Sequence, residues 1–235
     1  MSLISFNPFS HADDVGKEAA RLILEGLEQK PSSTIVFPTG KTPIPMYAAL
    51  RQSEPSRWTH ARLFHLDEYY PAPKPGAPIP YETFETYLRR ELWDHVPANQ
   101  YWMEPYFNHP AKYDELVCAE SGPDWVILGI GGNGHIAFNE PGSPPDSDTR
   151  IIPLSPQTQQ DNFGGVHLPG YPTHAMTLGL ASILKAKRIL LMATGDKKRS
   201  IVERALLSSE PPHIDLPASW LKTHPHVTIL TDFPL

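Results

Sequence analysis

Residues 125–141, WVILGIGGNGHIAFNEP, join an unbroken apolar run to a glycine-rich stretch carrying one histidine, two asparagines and one glutamate. Trp125–Leu128 shows no polar alternation, which fits a central strand buried on both faces in a parallel sheet. The chain must turn directly afterwards, and Gly131, Gly132 and Gly134 permit close backbone approach or positive φ. His135 and Glu140 therefore stand where a buried strand ends. In an open parallel sheet that is where the ligand crevice lies.

Working outward, residues 34–38 (TIVFP), 62–66 (RLFHL), 150–154 (RIIPL), 188–194 (RILLMAT) and 227–232 (VTILTD) are further strand candidates. Residues 12–29 place Val15, Ala19, Leu22, Ile23 and Leu27 on one helical stripe that Pro31 closes. Helices are also expected near 45–51, over 81–95, around 112–120 and over 196–207, the last with Asp196 as N-cap candidate. Residues 69–80 (YYPAPKPGAPIP) form a proline-rich loop, 155–174 are polar and turn-rich, and 176–186 fit strand or helix, the second half being more helical. Strands alternating with helices imply parallel pairing through right-handed crossovers. The expectation is one open, mostly parallel, Rossmann-like α/β domain over residues 1–235, with helices on both faces and no dinucleotide-binding motif.

Composition narrows the function. The formal charge of −6 comes with no basic run or basic half, so nucleic acid is not the expected partner. The single cysteine, Cys118, excludes an intramolecular disulfide framework and points to a reducing, cytoplasmic compartment. No stretch reaches the 20 or so apolar residues of a membrane span. The 27 prolines cluster at segment ends and in two loops, which favours many short connections over disorder.

Four polar clusters follow apolar strand candidates: PTGKT, DE, GGNGHIAFNE and TGDKK. Thr39, Gly40, Lys41 and Thr42 can offer backbone N–H groups, two hydroxyls and an ammonium to an anion. The spacing is not that of a nucleotide P-loop, because no GxxxxG precedes the lysine. Lys197, Lys198 and Arg199 supply cations after another strand. Asp67 and Glu68 are adjacent, so in extended backbone their side chains diverge: one enters the crevice and the other organises its surroundings. Asp67 could serve as a general base near neutral pH if burial raised its pKa. His135 can carry protons, Glu140 can orient it, and Asn133 can orient a partner but not exchange a proton. With no HExxH and no clustered cysteines, no metal is expected.

With those residues in view, FPTGKTP, FHLDEYY, GIGGNGHIAFNEPGS, Thr149–Arg150, MTLGL and ATGDKK, in that order along nearly the whole chain, resemble the glucosamine-6-phosphate deaminase (isomerase) family. That family is related to 6-phosphogluconolactonase, whose corresponding segments usually read DER and DGHTASLFP. The resemblance implies an α/β fold without a nicotinamide cofactor, no cofactor of any kind, and conversion of an amino-sugar 6-phosphate into a ketose 6-phosphate and ammonia. It implies that Thr39, Gly40, Lys41 and Thr42 form the phosphate loop, with Lys198 a later phosphate-binding lysine. It makes Asp67 the enolising base, Glu68 its acidic neighbour, His135 the ring-opening histidine and Glu140 that histidine's partner. Asn133 stands where family members carry aspartate or asparagine, beside Gly132 and Gly134.

One segment departs from the family. Its phosphate-binding arginine follows the Thr–Arg pair in a TR-x-x-N-x-R-like pattern, whereas residues 155–165 (SPQTQQDNFGG) contain no arginine. Lysine does not reproduce the planar donor set of arginine, but Lys41, unusual in this loop, can offset the charge. Two alternatives accompany the deaminase reading: a 6-phosphogluconolactonase-like hydrolase, and a catalytically weak sugar-phosphate sensor. Monomer and homo-oligomer are both compatible with the sequence.

Overall fold

Short apolar runs become strands because neither of their faces can be left in water. In the computed structural model, which describes residues 3–74, 76–119 and 122–235, these runs form most of a ten-strand framework. The strands are β1 (Leu3–Pro8), β2 (Thr34–Phe37), β3 (Arg62–His65), β4 (Asp67–Tyr70), β5 (Asn99–Gln100), β6 (Trp125–Leu128), β7 (Arg150–Pro153), β8 (His174–Thr177), β9 (Arg188–Ala193) and β10 (His226–Thr231). The α-helices are α1 (Ala12–Gln29), α2 (Ile44–Leu50), α3 (Phe84–Glu91), α4 (Pro110–Val117), α5 (Pro156–Phe163), α6 (Leu180–Leu184) and α7 (Arg199–Val202).

Seven strands make an all-parallel sheet in the order β1-β10-β9-β6-β2-β3-β5. Successive residues feed opposite cores, as strand geometry requires. Ile35, Phe37, Ile127 and Leu190 pack with Val15, Ala19, Ile23 and Leu27 of α1 and Met46 of α2. Val36, Val126, Leu128, Ile189 and Leu191 pack on the other face with Tyr113 of α4, Ile183 of α6 and Val202 of α7. Burying one such aliphatic side chain contributes about 1.5–3 kcal/mol, so the sheet is held from both sides. From β2 the chain continues to β3 and β5 on one side, while β6, β9 and β10 lie on the other. The order reverses between β2 and β6, which places the crevice beyond their carboxyl ends.

A second sheet was not expected. β4, β8 and β7 form a three-stranded antiparallel sheet, with Thr177 of β8 opposite Asp67 on one side and Arg150 on the other. DEYY is thus a strand rather than the end of one strand and the start of a loop. The switch occurs at Leu66, whose N–H donates to Phe37 O at 3.1 Å while its own carbonyl accepts from Leu178 N at 2.7 Å. Buried His65 fixes this corner. Its Nε2 accepts from Met103 N–H at 3.0 Å, which leaves Nδ1–H to donate to Asp67 O at 2.9 Å. Burial holds the imidazole pKa down at about 4, so the ring is neutral at physiological pH.

Three helix expectations change. The helix expected over 81–95 is shorter, with Thr83 as its N-cap, and the one around 112–120 is α4; Glu120 lies outside the described residues, as does Pro75 of the proline-rich loop. The segment 196–207 divides into a 3₁₀ turn (Asp196–Lys198), α7 and a π turn (Glu203–Leu207). Asp196 does not cap it but pairs with Arg199 at 2.7 Å. Within the turn-rich 155–174, Ser155 caps α5, Pro156 occupies its first position and Gly164, at φ 75°, ends it.

Candidate active site

The first wall of the site is the turn after β2. Gly40 adopts φ 95°, a conformation that strains any residue with a Cβ. Tyr47 Oη–H donates to Pro38 O, and Tyr87 Oη–H donates to Gly40 O at 2.6 Å, so two buried tyrosines hold the turn from below. Thr194, just after β9, donates through Oγ1 to Thr42 Oγ1 at 3.3 Å and ties this turn to the next strand end. Thr39, Gly40, Lys41 and Thr42 all line a cavity of about 300 Å³. Lys198 lines it too, and its Nζ donates to Ile130 O at 2.8 Å, leaving two N–H donors for an incoming anion. Burial lowers the Lys198 pKa, with the carboxylate of Asp161 opposing. Lys197 is exposed and Arg199 is engaged by Asp196, so of the three consecutive cations only Lys198 reaches the cavity.

The second wall is the glycine loop after β6. Gly131 N–H donates to His135 O at 2.9 Å, and a Cβ on Gly131 would fall 2.3–2.5 Å from three atoms of the His135 ring. A side chain there would have to displace the imidazole, which lies across the glycine. Gly134 takes φ 89° and packs against Leu216, while Gly132 opens onto the cavity. Beyond His135, Ala137 is held at φ 50°, an uncommon conformation for a non-glycine residue, in the cavity wall. Fully buried Asn139 secures the loop, its Nδ2 donating to Ile136 O at 3.1 Å and Leu178 O at 2.8 Å.

His135 faces the cavity, whereas Glu140 and Asn133 stand behind it. Glu140 Oε1 lies 3.5 Å from His135 Nδ1. Asn133 Nδ2–H donates to Glu140 Oε2 at 2.7 Å, while Asn133 Oδ1 accepts the His135 backbone N–H at 3.1 Å. Burial works against the Glu140 charge, but His135, the Thr158 hydroxyl and Asn133 outweigh it and hold its pKa at about 2. Glu140 is therefore a fixed anion behind the imidazole.

Asp67 and Glu68 diverge as a strand demands. Asp67 lines the cavity; it is 6% exposed, and no described residue donates a hydrogen bond to its carboxylate. Burial, reinforced by the nearby charge of Glu68, raises its pKa well above the ordinary carboxylate value. Glu68 turns away and accepts the backbone N–H groups of Tyr69 at 2.8 Å, Phe84 at 3.0 Å and Glu85 at 2.7 Å. It thereby anchors the start of α3. Burial pushes Glu68 up to about 7 against those three donors.

The structure thus brings Thr39, Gly40, Lys41, Thr42, Asp67, Gly132, His135 and Lys198 to one cavity, and places Glu68, Asn133, Gly134 and Glu140 around it. Sequence reasoning missed Phe84, Phe138, Asp161 and Asn162, which also line the cavity. The last two come from α5, the segment without the expected arginine. Among the described residues, no group of three or more His, Cys, Asp or Glu side chains is placed to hold a metal ion, and no helix is long and apolar enough to cross a membrane.

Several known proteins resemble this chain over most of its length. A glucosamine-6-phosphate deaminase of Bacillus pumilus is 38% identical over 239 residues, covering 95% of each chain. Glucosamine-6-phosphate deaminase 1 of Giardia intestinalis is 35% identical, covering 95% of this chain and 86% of its own. A solved monomeric glucosamine-6-phosphate deaminase superposes with a TM-score of 0.85 at 28% identity, over 97% of this chain and 96% of the other. The 6-phosphogluconolactonase of Trypanosoma cruzi shares the fold, with a TM-score of 0.75 at 18% identity over 98% and 96% of the two chains. Residues 7–230 match the family described as glucosamine-6-phosphate isomerases/6-phosphogluconolactonase, and the chain belongs to that family.

Proposed function

We propose that the protein isomerises and deaminates an amino-sugar 6-phosphate, converting glucosamine 6-phosphate and water into fructose 6-phosphate and ammonia. One observation carries this reading. A single cavity holds a buried carboxylate that no described residue donates to, Asp67, a histidine backed by a carboxylate, His135, and two lysines from different strand ends. The relatives at 35–38% identity are deaminases, while the lactonase structures share only the fold.

The chemistry needs only proton transfers and one water molecule. The 6-phosphate is held by the 39–42 turn, Lys41 and Lys198, which directs the sugar ring toward Asp67 and His135. His135 takes the proton of the anomeric hydroxyl and returns it to the ring oxygen, opening the pyranose; Glu140 stabilises the imidazolium between these steps. Asp67 then takes the C2 proton and delivers it to C1, while one proton of the substrate ammonium passes to O1. Oxidation at C2 is matched by reduction at C1, and the product is a C2 iminium. Water adds at C2, the carbinolamine collapses, and ammonia leaves. Burial makes Asp67 a stronger base once it is ionised, and the arriving substrate ammonium supplies the counter-charge that the protein withholds.

Two substitutions test the placement of the substrate. Lys41→Ala and Lys198→Ala should each lower kcat/KM for the phosphate ester by the equivalent of about 1.5–3 kcal/mol, the range for hydrogen bonds to charged groups. Slow turnover of unphosphorylated glucosamine should not respond. Equal effects on both substrates would remove the lysines from the phosphate. Gly131→Ala should displace the His135 ring and reduce kcat while the protein still folds cooperatively, as judged by thermal unfolding. Wild-type kcat in that variant would show that the ring position is not needed.

The reading itself is tested by assaying glucosamine 6-phosphate, other amino-sugar 6-phosphates and 6-phosphogluconolactone side by side. Ammonia and ketose phosphate from an amino-sugar ester, at a kcat/KM far above that for the lactone, are expected. Preferential lactone hydrolysis would favour the alternative chemistry of the family.

A further inference from the structure

We infer that Thr158, which does not line the cavity, positions the Glu140 carboxylate behind His135 and so controls how readily the imidazole gives up and takes up its proton. This rests on the ring-opening role assigned to His135. Thr158 is the third residue of α5 and is 5% exposed. Its backbone N–H donates to Ser155 Oγ at 3.1 Å, and the Ser155 hydroxyl stands 2.9 Å from Thr158 Oγ1. With the serine proton directed at Oγ1, the threonine's own proton is free to point elsewhere. It points to Glu140 Oε1.

That oxygen is contested. Oε2 is occupied by Asn133, so Oε1 is the atom that faces His135 Nδ1, at 3.5 Å. Nδ1 is buried and makes no hydrogen bond among the described residues. The threonine hydroxyl therefore holds Oε1 closely while the imidazole waits just beyond hydrogen-bond reach. Valine at 158 would keep the shape of the side chain and remove the donor. Oε1 would then be left with the Ser155 hydroxyl, 3.4 Å away, and with Nδ1–H; a charge-assisted bond to the ring would form, and the protonated ring would be favoured. A histidine that stays protonated cannot accept the first proton of ring opening.

Few other charged groups face this pair. Arg150 of β7 is engaged by Asn139 Oδ1 at 3.0 Å and Ser143 Oγ at 3.1 Å rather than by Glu140. On the cavity side His135 shares its walls with Asp67 of β4, Lys41, Lys198 and Asp161. The same helix thus holds Glu140 at its first turn and contributes Asp161 and Asn162 to the cavity at its last.

The test compares wild type, Thr158→Val and Thr158→Ser. The His135 ring is titrated by ¹H–¹⁵N NMR, its signals assigned by their loss in His135→Gln, and kcat and KM for glucosamine 6-phosphate are measured across pH. Thr158→Val should titrate His135 at higher pH, move the acid limb of kcat in the same direction, and lower kcat about tenfold with KM little changed, as expected for one charged hydrogen bond. Thr158→Ser, which restores the hydroxyl, should return both readouts toward wild type. An unmoved His135 titration in Thr158→Val would overturn the inference, as would equal impairment in the serine variant, which would make the residue a packing element. If wild type released no ammonia, the functional reading would fail on its own. The titration would still decide the role of Thr158.

Discussion

Asp67→Asn should lose about two to four orders of magnitude in turnover, the range for removing a positioned general base. The amide matches the carboxylate in size but cannot take a proton from carbon. Asp67 is buried in the cavity with no donor to its carboxylate among the described residues, so the substitution severs no hydrogen bond between them. The variant should unfold at nearly the wild-type temperature. Substrate carrying deuterium at C2 gives the direct readout by NMR. Wild type should release the label from C2 and Asp67→Asn should retain it, even when an open-chain substrate bypasses ring opening. Normal loss of the C2 label in a folded Asp67→Asn protein would take the base role from this residue.

His135→Gln should be nearly as damaging on the cyclic substrate, by about two orders of magnitude or more, but for a different reason. Glutamine can hydrogen-bond where the imidazole did, yet it cannot pass a proton from the anomeric hydroxyl to the ring oxygen. The later steps belong to Asp67 and should survive. An open-chain analogue should therefore recover activity in His135→Gln but not in Asp67→Asn. Equal losses on cyclic and open-chain forms would leave His135 without a ring-opening role. The contrast between the two variants is more informative than either loss alone, because misfolding would depress both substrates together.

The sequence made some parts of this structure legible because local chemistry alone determines them. α1 coincides with the stripe of Val15, Ala19, Ile23 and Leu27, since an amphipathic helix of that length is read from its own residues. TIVF and WVIL are buried at every position, as unbroken apolar runs in a parallel sheet must be. The divergence of Asp67 and Glu68 followed from the two-residue period of a strand, although the strand itself was not recognised. β4 escaped notice because it pairs with β8, more than a hundred residues away, and the four residues of DEYY carry no alternation of their own. β1 escaped because LISFNP is an edge strand with one neighbour and a mixed composition. α5 lacks an apolar stripe, yet Ser155 followed by Pro156 is a helix-start signal that could have revealed it. With α5 unrecognised, neither Asp161 at the cavity nor the Thr158 contact to Glu140 could be foreseen.

The segment 155–165, in which the family resemblance led us to expect an arginine, presents Asp161 and Asn162 to the cavity, with Asn162 Nδ2 donating to Tyr69 Oη at 3.1 Å. Lys41 and Lys198 are then the two side-chain cations lining the cavity, which is why their removal is expected to matter separately rather than redundantly.

The central claim is that one cavity both moves the C2 proton and releases the C2 nitrogen. Glucosamine 6-phosphate labelled with ¹⁵N, incubated with the purified protein and followed by NMR, tests it most directly. ¹⁵N-ammonium and fructose 6-phosphate should appear together in equal amounts, with both signals suppressed in Asp67→Asn. Substrate that stays intact with its nitrogen in place, while the same preparation hydrolyses 6-phosphogluconolactone, would contradict it.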